Sequence, residues 1–291
     1  MKASLLGHCR EVSTRRTYGI YQKHFIKFAN KHSLEWNEEA ALLFITNWFC
    51  QRKSYSGCKQ ARFAIAALYS DNGIDCLKNS ERLSKLLVAC EKFSEIPNTR
   101  KRDPFPVHLL LALASKKPES WSHNLWWMIR CLISIGLRTM ARGSELCALR
   151  KSDISIISDN EIVVHFARTK TKKQGRKVRI YASGRVSCPV RSTIEWLKRA
   201  PLNSALLFSN GSCQLSTNII TYYLRMVARE FSCSGQFSSH SLRIGGASAL
   251  TFGGYSKEQI MAIGDWNSDA IDRYLRESID HNLNITSDML L

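Results

Sequence analysis

Long apolar runs are missing from this 291-residue sequence. Its most apolar stretches, residues 40–50 and 126–137, are too short or are broken by Arg130, and neither approaches the ~20 residues a membrane-spanning helix needs. Residues 1–11 contain a Lys and an Arg but only a fragment of an apolar segment and no small-residue cleavage site, so no secretory leader is expected. Acidic residues are also scarce. Twenty-four Asp and Glu face forty-two Lys and Arg, a net charge of +18, which makes a polyanion the expected partner. Proline is rare as well, with six in the chain, three of them at Pro97, Pro104 and Pro106. Paired cysteines are absent. The ten cysteines are scattered singly, without C-x-x-C or a Cys/His cluster at zinc spacing, so a metal site and a disulfide framework are both unexpected. These absences describe a soluble intracellular protein with reduced thiols, nucleic acid as partner and no membrane.

What is present is a well-patterned helical text. Tyr18, Tyr21, Phe25 and Phe28 recur at spacings of three and four over residues 14–29, the mark of one apolar helix face. A second helix starts at Asn37 and ends near Arg52, and two more are expected over 56–71 and 80–93. Residues 94–106 then string Pro97, Arg100, Lys101, Arg102, Pro104 and Pro106 together, which suits a basic linker and no helix interior. The expected domains are therefore a helical bundle over 1–93, a linker over 94–106, a second domain over 107–281 and a tail over 282–291.

The second domain opens with helical segments over 107–115, 122–135 and 138–149. At Ile154 the apolar period changes to two: Ile154 and Ile156, then Ile162, Val164 and Phe166, with a third strand over 177–181. This predicts a small antiparallel sheet. Helices return over 191–200, 216–231, 240–252, 256–263 and 268–279, mostly opened by Ser. The fold class is mainly α with a small antiparallel sheet, α+β.

Several residues carry chemistry. His240 and Arg243 lie three apart at a helix start, so both side chains share one face beside backbone N–H groups that favour an anion. Arg142 and Glu145 repeat the spacing in Arg142-Gly-Ser-Glu145-Leu, where a carboxylate one turn on orients a guanidinium. Lys170 lies in the hairpin run Arg168-Thr-Lys-Thr-Lys-Lys-Gln-Gly175. Its neighbours Arg168, Lys172 and Lys173, and the linker cations Lys101 and Arg102, suit DNA phosphates. Trp266 offers an indole N–H, and Tyr274 comes next in a short helix.

In this order the set resembles the signature of the tyrosine recombinases, the site-specific DNA strand-exchange enzymes. The resemblance spans residues 13–280. Arg142-Gly-Ser-Glu145-Leu, Arg168-Thr-Lys170-Thr, His240-Ser-Leu-Arg243-Ile-Gly-Gly, Gly264-Asp-Trp266 and Tyr274 carry it. Gly136-Leu-Arg138 resembles another form of the first motif, but Arg138 has no carboxylate partner three residues on, which favours Arg142. Trp266 stands where many members carry His. The step from Trp266 to Tyr274 is eight residues where nine is common, a spacing similar to that in recombinases of eukaryotic mobile elements.

The resemblance implies a helical DNA-clamping domain joined to a tyrosine-recombinase catalytic domain. It implies Tyr274 as nucleophile forming a 3′-phosphotyrosine, Lys170 as acid for the leaving oxygen, and Arg142, His240, Arg243 and Trp266 as donors to the phosphate, with Glu145 in support. The phenol needs help losing its proton, which the cationic pocket or His240 as base would provide. No metal, cofactor or ATP is implied, and no carboxylate cluster at metal spacing suggests a metal-dependent nuclease. The partners are double-stranded DNA and further copies of the chain, as a homotetramer on synapsed sites. Two alternatives remain at this point: a type IB topoisomerase, against which His240 counts, and a DNA-binding or architectural protein that has lost the reaction.

Overall fold

A computed structural model describes residues 10–94, 102–167, 169, 174–210, 213–266 and 271–272. The chain divides into two compact units, Met1–Thr99 and Arg100–Leu291.

Among the described residues the first unit holds four helices: α1 (Val12–Lys31), α2 (Glu38–Arg52), α3 (Tyr55–Asp71) and α4 (Glu81–Phe93). Side-chain oxygens of Asn37, Ser54 and Ser80 accept the backbone N–H three residues on, in the first turns of α2, α3 and α4, which is why each begins where it does. The helices close on Phe25, Phe44, Ile45, Ile65, Tyr69 and Leu83. Phe25 meets the rings of Trp36, Phe44 and Tyr69 within 6 Å, edge-on or tilted arrangements that aromatic quadrupoles favour.

The second unit begins with residues already tied to it. Asp103 accepts the Gln236 N–H at 2.5 Å, and the Phe105 N–H donates to the Ser241 carbonyl at 2.9 Å. Helices α5 (Val107–Ser115), α6 (His123–Thr139) and α7 (Gly143–Ala148) precede the sheet. Strands β1 (Ile154–Ser158), β2 (Glu161–Phe166) and β3 (Arg176–Tyr181) pair antiparallel in the order β1-β2-β3. Burial alternates along β2, so Ile162, Val164 and Phe166 enter the core, as a period of two requires. Then come α8 (Pro189–Arg199), the short pair β4 (Ser209–Asn210) and β5 (Cys213–Gln214), α9 (Thr217–Glu230), α10 (Ser241–Phe252) and α11 (Lys257–Gly264). Helix α6 is the spine of this unit, with Ile129, Leu132, Ile133 and Ile135 fully buried.

Two expectations are revised. The helix expected over 138–149 is two pieces, because α6 continues to Thr139 and stops at Met140, whose left-handed φ of 49° ends it. Arg142 then caps a new helix, α7. The β4–β5 pair was not anticipated, since two-residue strands leave no periodicity. Most of the helix expected over 268–279 lies outside the described residues.

The Arg243-Ile-Gly-Gly sequence has a steric reason. A Cβ on Gly246 would sit 2.2 Å from the Leu137 carbonyl oxygen, and one on Gly245 would sit 2.3 Å from that of Phe105. Gly246 lets α10 cross the end of α6, and Gly245 lets it lie against the chain at Phe105, both at backbone contact distance. Gly246→Ala is expected to cost about 3 kcal/mol through overpacking, a fall of ~6–12 °C in midpoint for a unit of this size, measurable by thermal unfolding. Among the described residues no helix is long and apolar enough to cross a membrane.

Candidate active site

Five of the expected site residues, Arg142, Glu145, His240, Arg243 and Trp266, come together where α6 and α11 end and α7 and α10 begin. Arg142 stands at the start of α7 because α6 has just ended, and its Nη1 donates to Glu145 Oε1 at 2.7 Å. The other oxygen, Oε2, accepts the Arg142 backbone N–H at 3.0 Å. Glu145 therefore grips Arg142 by both backbone and side chain. The carboxylate is buried, with 4% of its side chain exposed, while the Arg142 side chain keeps 21%. A solvated ion pair would be worth ~0–1 kcal/mol; here one partner is buried, so the pair fixes the guanidinium's direction.

Arg243 is nearly inaccessible, at 2% exposure. Its Nη1 donates to the carbonyls of Met140 at 2.5 Å and Gly264 at 2.8 Å. These are the C-terminal ends of α6 and α11, where carbonyls lack helical partners and a cation is favoured. The guanidinium also lies 3.6 Å from the centroid of the Trp266 ring, a cation–π contact. Trp266 reaches that position because α11 ends in Gly264: a Cβ there would fall 1.7 Å from the indole. Asp265, with φ of 57°, turns the chain so that the ring folds back. Trp266 thus packs with Met140, Ala247, Ile260 and Ile271 and forms a floor beneath Arg243.

His240 occupies the cap of α10 rather than its first turn. Burial holds its pKa below the ordinary value, and the positive charges of Arg243 and Arg142 push it the same way. The imidazole is therefore neutral at pH 7, the form that accepts a proton. Free-enzyme kcat/KM for DNA cleavage is expected to be flat near neutrality and to fall only below the usual imidazole value of about 6.5. Stability follows the same sign. As pH falls through about 6.5 the unfolded chain binds this proton first, so the contribution of His240 is whole above that pH and declines toward its folded value. A pH series of cleavage rate and of unfolding free energy checks both.

The sequence reading missed Arg176. It stood in a run of cations, yet the structure buries it, with 8% of its side chain exposed. Its Nη2 donates to the Thr139 carbonyl at 2.9 Å and its Nη1 bonds the Ile263 carbonyl. Nη2 also lies 3.6 Å from Glu145 Oε2, and the guanidinium sits 4.6 Å from the Phe166 ring centroid, because Phe166 and Arg176 are partners across β2 and β3. Asp265 and Thr169 were also missed. Both are buried, and the Thr169 hydroxyl donates to Asp265 Oδ2 at 3.1 Å. A signal for Arg176 existed in its place at the first position of a strand, opposite an aromatic.

Arg138, the other candidate for the first arginine, is exposed on α6. Arg102 is exposed too. Lys170, Tyr274, Lys101, Arg168, Lys172 and Lys173 lie outside the described residues. Ile271, three residues before Tyr274, is fully buried, and Asp272 pairs with Lys257 at 2.7 Å. Among the described residues no group of three His, Cys, Asp or Glu side chains is placed to hold a metal ion.

The family model described as "Phage integrase family" matches residues 108–280, more than half of the chain. The protein belongs to the phage integrase family. This family member is a tyrosine recombinase by domain and by fold. Its structure is similar to a post-cleavage complex of the XerH site-specific recombinase bound to a palindromic difH substrate, with 17% identity, a TM-score of 0.59, and 87% of this chain and 72% of that one covered. It is also similar to a lambda integrase fragment, solved as a dimer on a COC′ core site, at 16% identity and a TM-score of 0.60, covering 94% and 92%. The integrase of the Tn1549 transposon in complex with circular intermediate DNA is similar at 14% identity and a TM-score of 0.54, covering 93% and 99%. No curated protein matches the phage-integrase-family chain in sequence.

Proposed function

We propose that this chain cuts and rejoins duplex DNA at specific sites by transferring a backbone phosphoryl group to Tyr274. The observation that carries the reading is the convergence of Arg142, His240 and Arg243 from the start of α7 and the cap and first turn of α10, where Gly143 packs against Ser239 and both guanidinium charges act on the imidazole, with the Trp266 ring beneath Arg243. Attack on a phosphodiester builds negative charge on the nonbridging oxygens, and fixed donors in a sheltered site answer it.

The Tyr274 phenol, with an ordinary pKa of ~10, attacks phosphorus and loses its proton to neutral His240, or to water with the cationic surroundings stabilising the phenolate. The bond from phosphorus to the 5′ oxygen breaks, and Lys170 protonates that oxygen. The product is a 3′-phosphotyrosine and a free 5′-hydroxyl. Because one ester replaces another, the strand is resealed by the reverse step without ATP. Arg102, Lys101, Arg168, Lys172 and Lys173 hold the DNA by its phosphates, with residues 94–106 as the linker between domains. Four copies act on two synapsed sites. The protein works inside the cell where its DNA lies, in the nucleus of a eukaryote or the cytoplasm and nucleoid of a bacterium.

The test is a suicide DNA duplex, nicked beside the scissile phosphate so that the freed 5′-hydroxyl fragment diffuses away, incubated with a chelator. A covalent protein–DNA adduct supports the proposal. Relaxation of plasmids with no special site and no strand exchange would point to a topoisomerase instead. No adduct on any candidate site would leave a DNA-binding protein without the reaction.

A further inference from the structure

We propose that Arg176 is a positioning residue for DNA cleavage, holding Glu145 and through it the direction in which Arg142 presents its guanidinium to the phosphate. It rests on the phosphate-donor role proposed for Arg142. Two arginines bridge the same pair of helix ends. Arg243 joins the carbonyls of Met140 and Gly264, and Arg176 joins those of the residues immediately before them, Thr139 and Ile263. Each guanidinium meets two C-terminal carbonyls, the site where the helix dipole favours a cation, and its planar fork of donors suits two acceptors at once.

The two differ in what lies on their other side. Arg243 faces Trp266 and the neighbourhood of His240. Arg176 faces Glu145, whose Oε1 holds the Arg142 side chain and whose Oε2 holds the Arg142 backbone N–H while lying 3.6 Å from Arg176. One buried carboxylate thus sits between two cations. A single arginine opposite it would leave Oε2 with only a backbone donor and the carboxylate freer to turn. The Phe166 ring closes the remaining face of Arg176 at 4.6 Å, so this side chain is packed from all sides and too buried to serve as a phosphate contact. The helix ends it joins also carry the rest of the site: α6 runs into Met140 and Arg142, and α11 runs into Gly264 and Trp266.

The experiment uses the full chain and two suicide substrates. One has the ordinary scissile phosphate; in the other a methyl group replaces one nonbridging oxygen, removing the charge that Arg142 answers. On the ordinary substrate, at saturating DNA, Arg176→Met is expected to cleave about 10²-fold slower, within the range for loss of one fixed donor, with DNA affinity unchanged. Arg176→Lys keeps a cation beside Glu145 but cannot span both carbonyls, and falls between. On the methyl substrate the deficits of Arg176→Met and of Arg142→Ala shrink together, to roughly threefold or less, since the uncharged phosphorus centre no longer calls for the cation. Relief of Arg142→Ala without relief of Arg176→Met would overturn the proposal, leaving Arg176 a purely structural residue. Wild-type cleavage by Arg176→Met would do the same. If Arg142→Ala itself is not relieved, its phosphate role fails and the proposal for Arg176 falls with it. Should Arg176→Met not fold, the same comparison is made with Arg176→Lys.

Discussion

Tyr274→Phe will bind DNA as the native chain does and form no covalent adduct. The change deletes one oxygen and keeps the ring, so packing and charge are preserved while the proposed nucleophile is lost. Removing the nucleophile of an enzyme that works through a covalent intermediate costs on the order of 10⁴–10⁶ in rate. Denaturing gels of the suicide-substrate reaction read the adduct, and fluorescence anisotropy reads the binding. An adduct that persists in Tyr274→Phe would move the nucleophile elsewhere. The result bears on the eight-residue step from Trp266, because removing one residue from a helix rotates every later side chain by ~100° about its axis. The described residues at and within that step are anchored: Trp266 and Ile271 lie in one apolar cluster, and Asp272 is paired with Lys257. An active Tyr274 would show that the chain between these anchors accommodates the shorter spacing.

Arg243→Ala is expected to lose both activity and stability. Its side chain satisfies two carbonyls and covers an indole while almost fully buried. Truncation leaves both acceptors and a void in the interior, a cost of about 3–5 kcal/mol. Loss of a fixed donor at the phosphate adds ~10²–10³ in cleavage rate. Arg142→Ala separates the two effects. Its guanidinium is partly exposed and its side chain has Glu145 as partner, so the rate should fall as far with a much smaller loss of stability. Chemical denaturation and single-turnover cleavage of the two variants, measured side by side, decide the matter. Native-like cleavage by Arg243→Ala would remove it from the site.

Helix starts were legible because caps are local. Asn37, Ser80, Ser216 and Ser256 each accept the N–H three residues on, and nothing distant is needed to place them. The three-stranded sheet was legible for a similar reason, since Ile162, Val164 and Phe166 alternate regardless of what they pack against. The break between α6 and α7 was not. Residues 138–149 continue a helical pattern, and what stops α6 at Met140 is the burial of that residue against Ala247, Ile260 and Trp266, together with Arg243 capping its carbonyl from 103 positions away.

The ordered residues Arg142, Lys170, His240, Arg243, Trp266 and Tyr274 were readable by themselves, and so were the basic charge, the α+β class and the family they pointed to. Local chemistry and linear order carry that information. Which arginine is buried, and which carbonyls it meets, was decided only in three dimensions. Arg176 and Lys177 are neighbours in one cationic run, yet strand alternation and the ends of two distant helices draw Arg176 inward and leave Lys177 exposed. A guanidinium leaves water only where acceptors, an opposing charge and an aromatic face are assembled around it, and no stretch of sequence can assemble them alone.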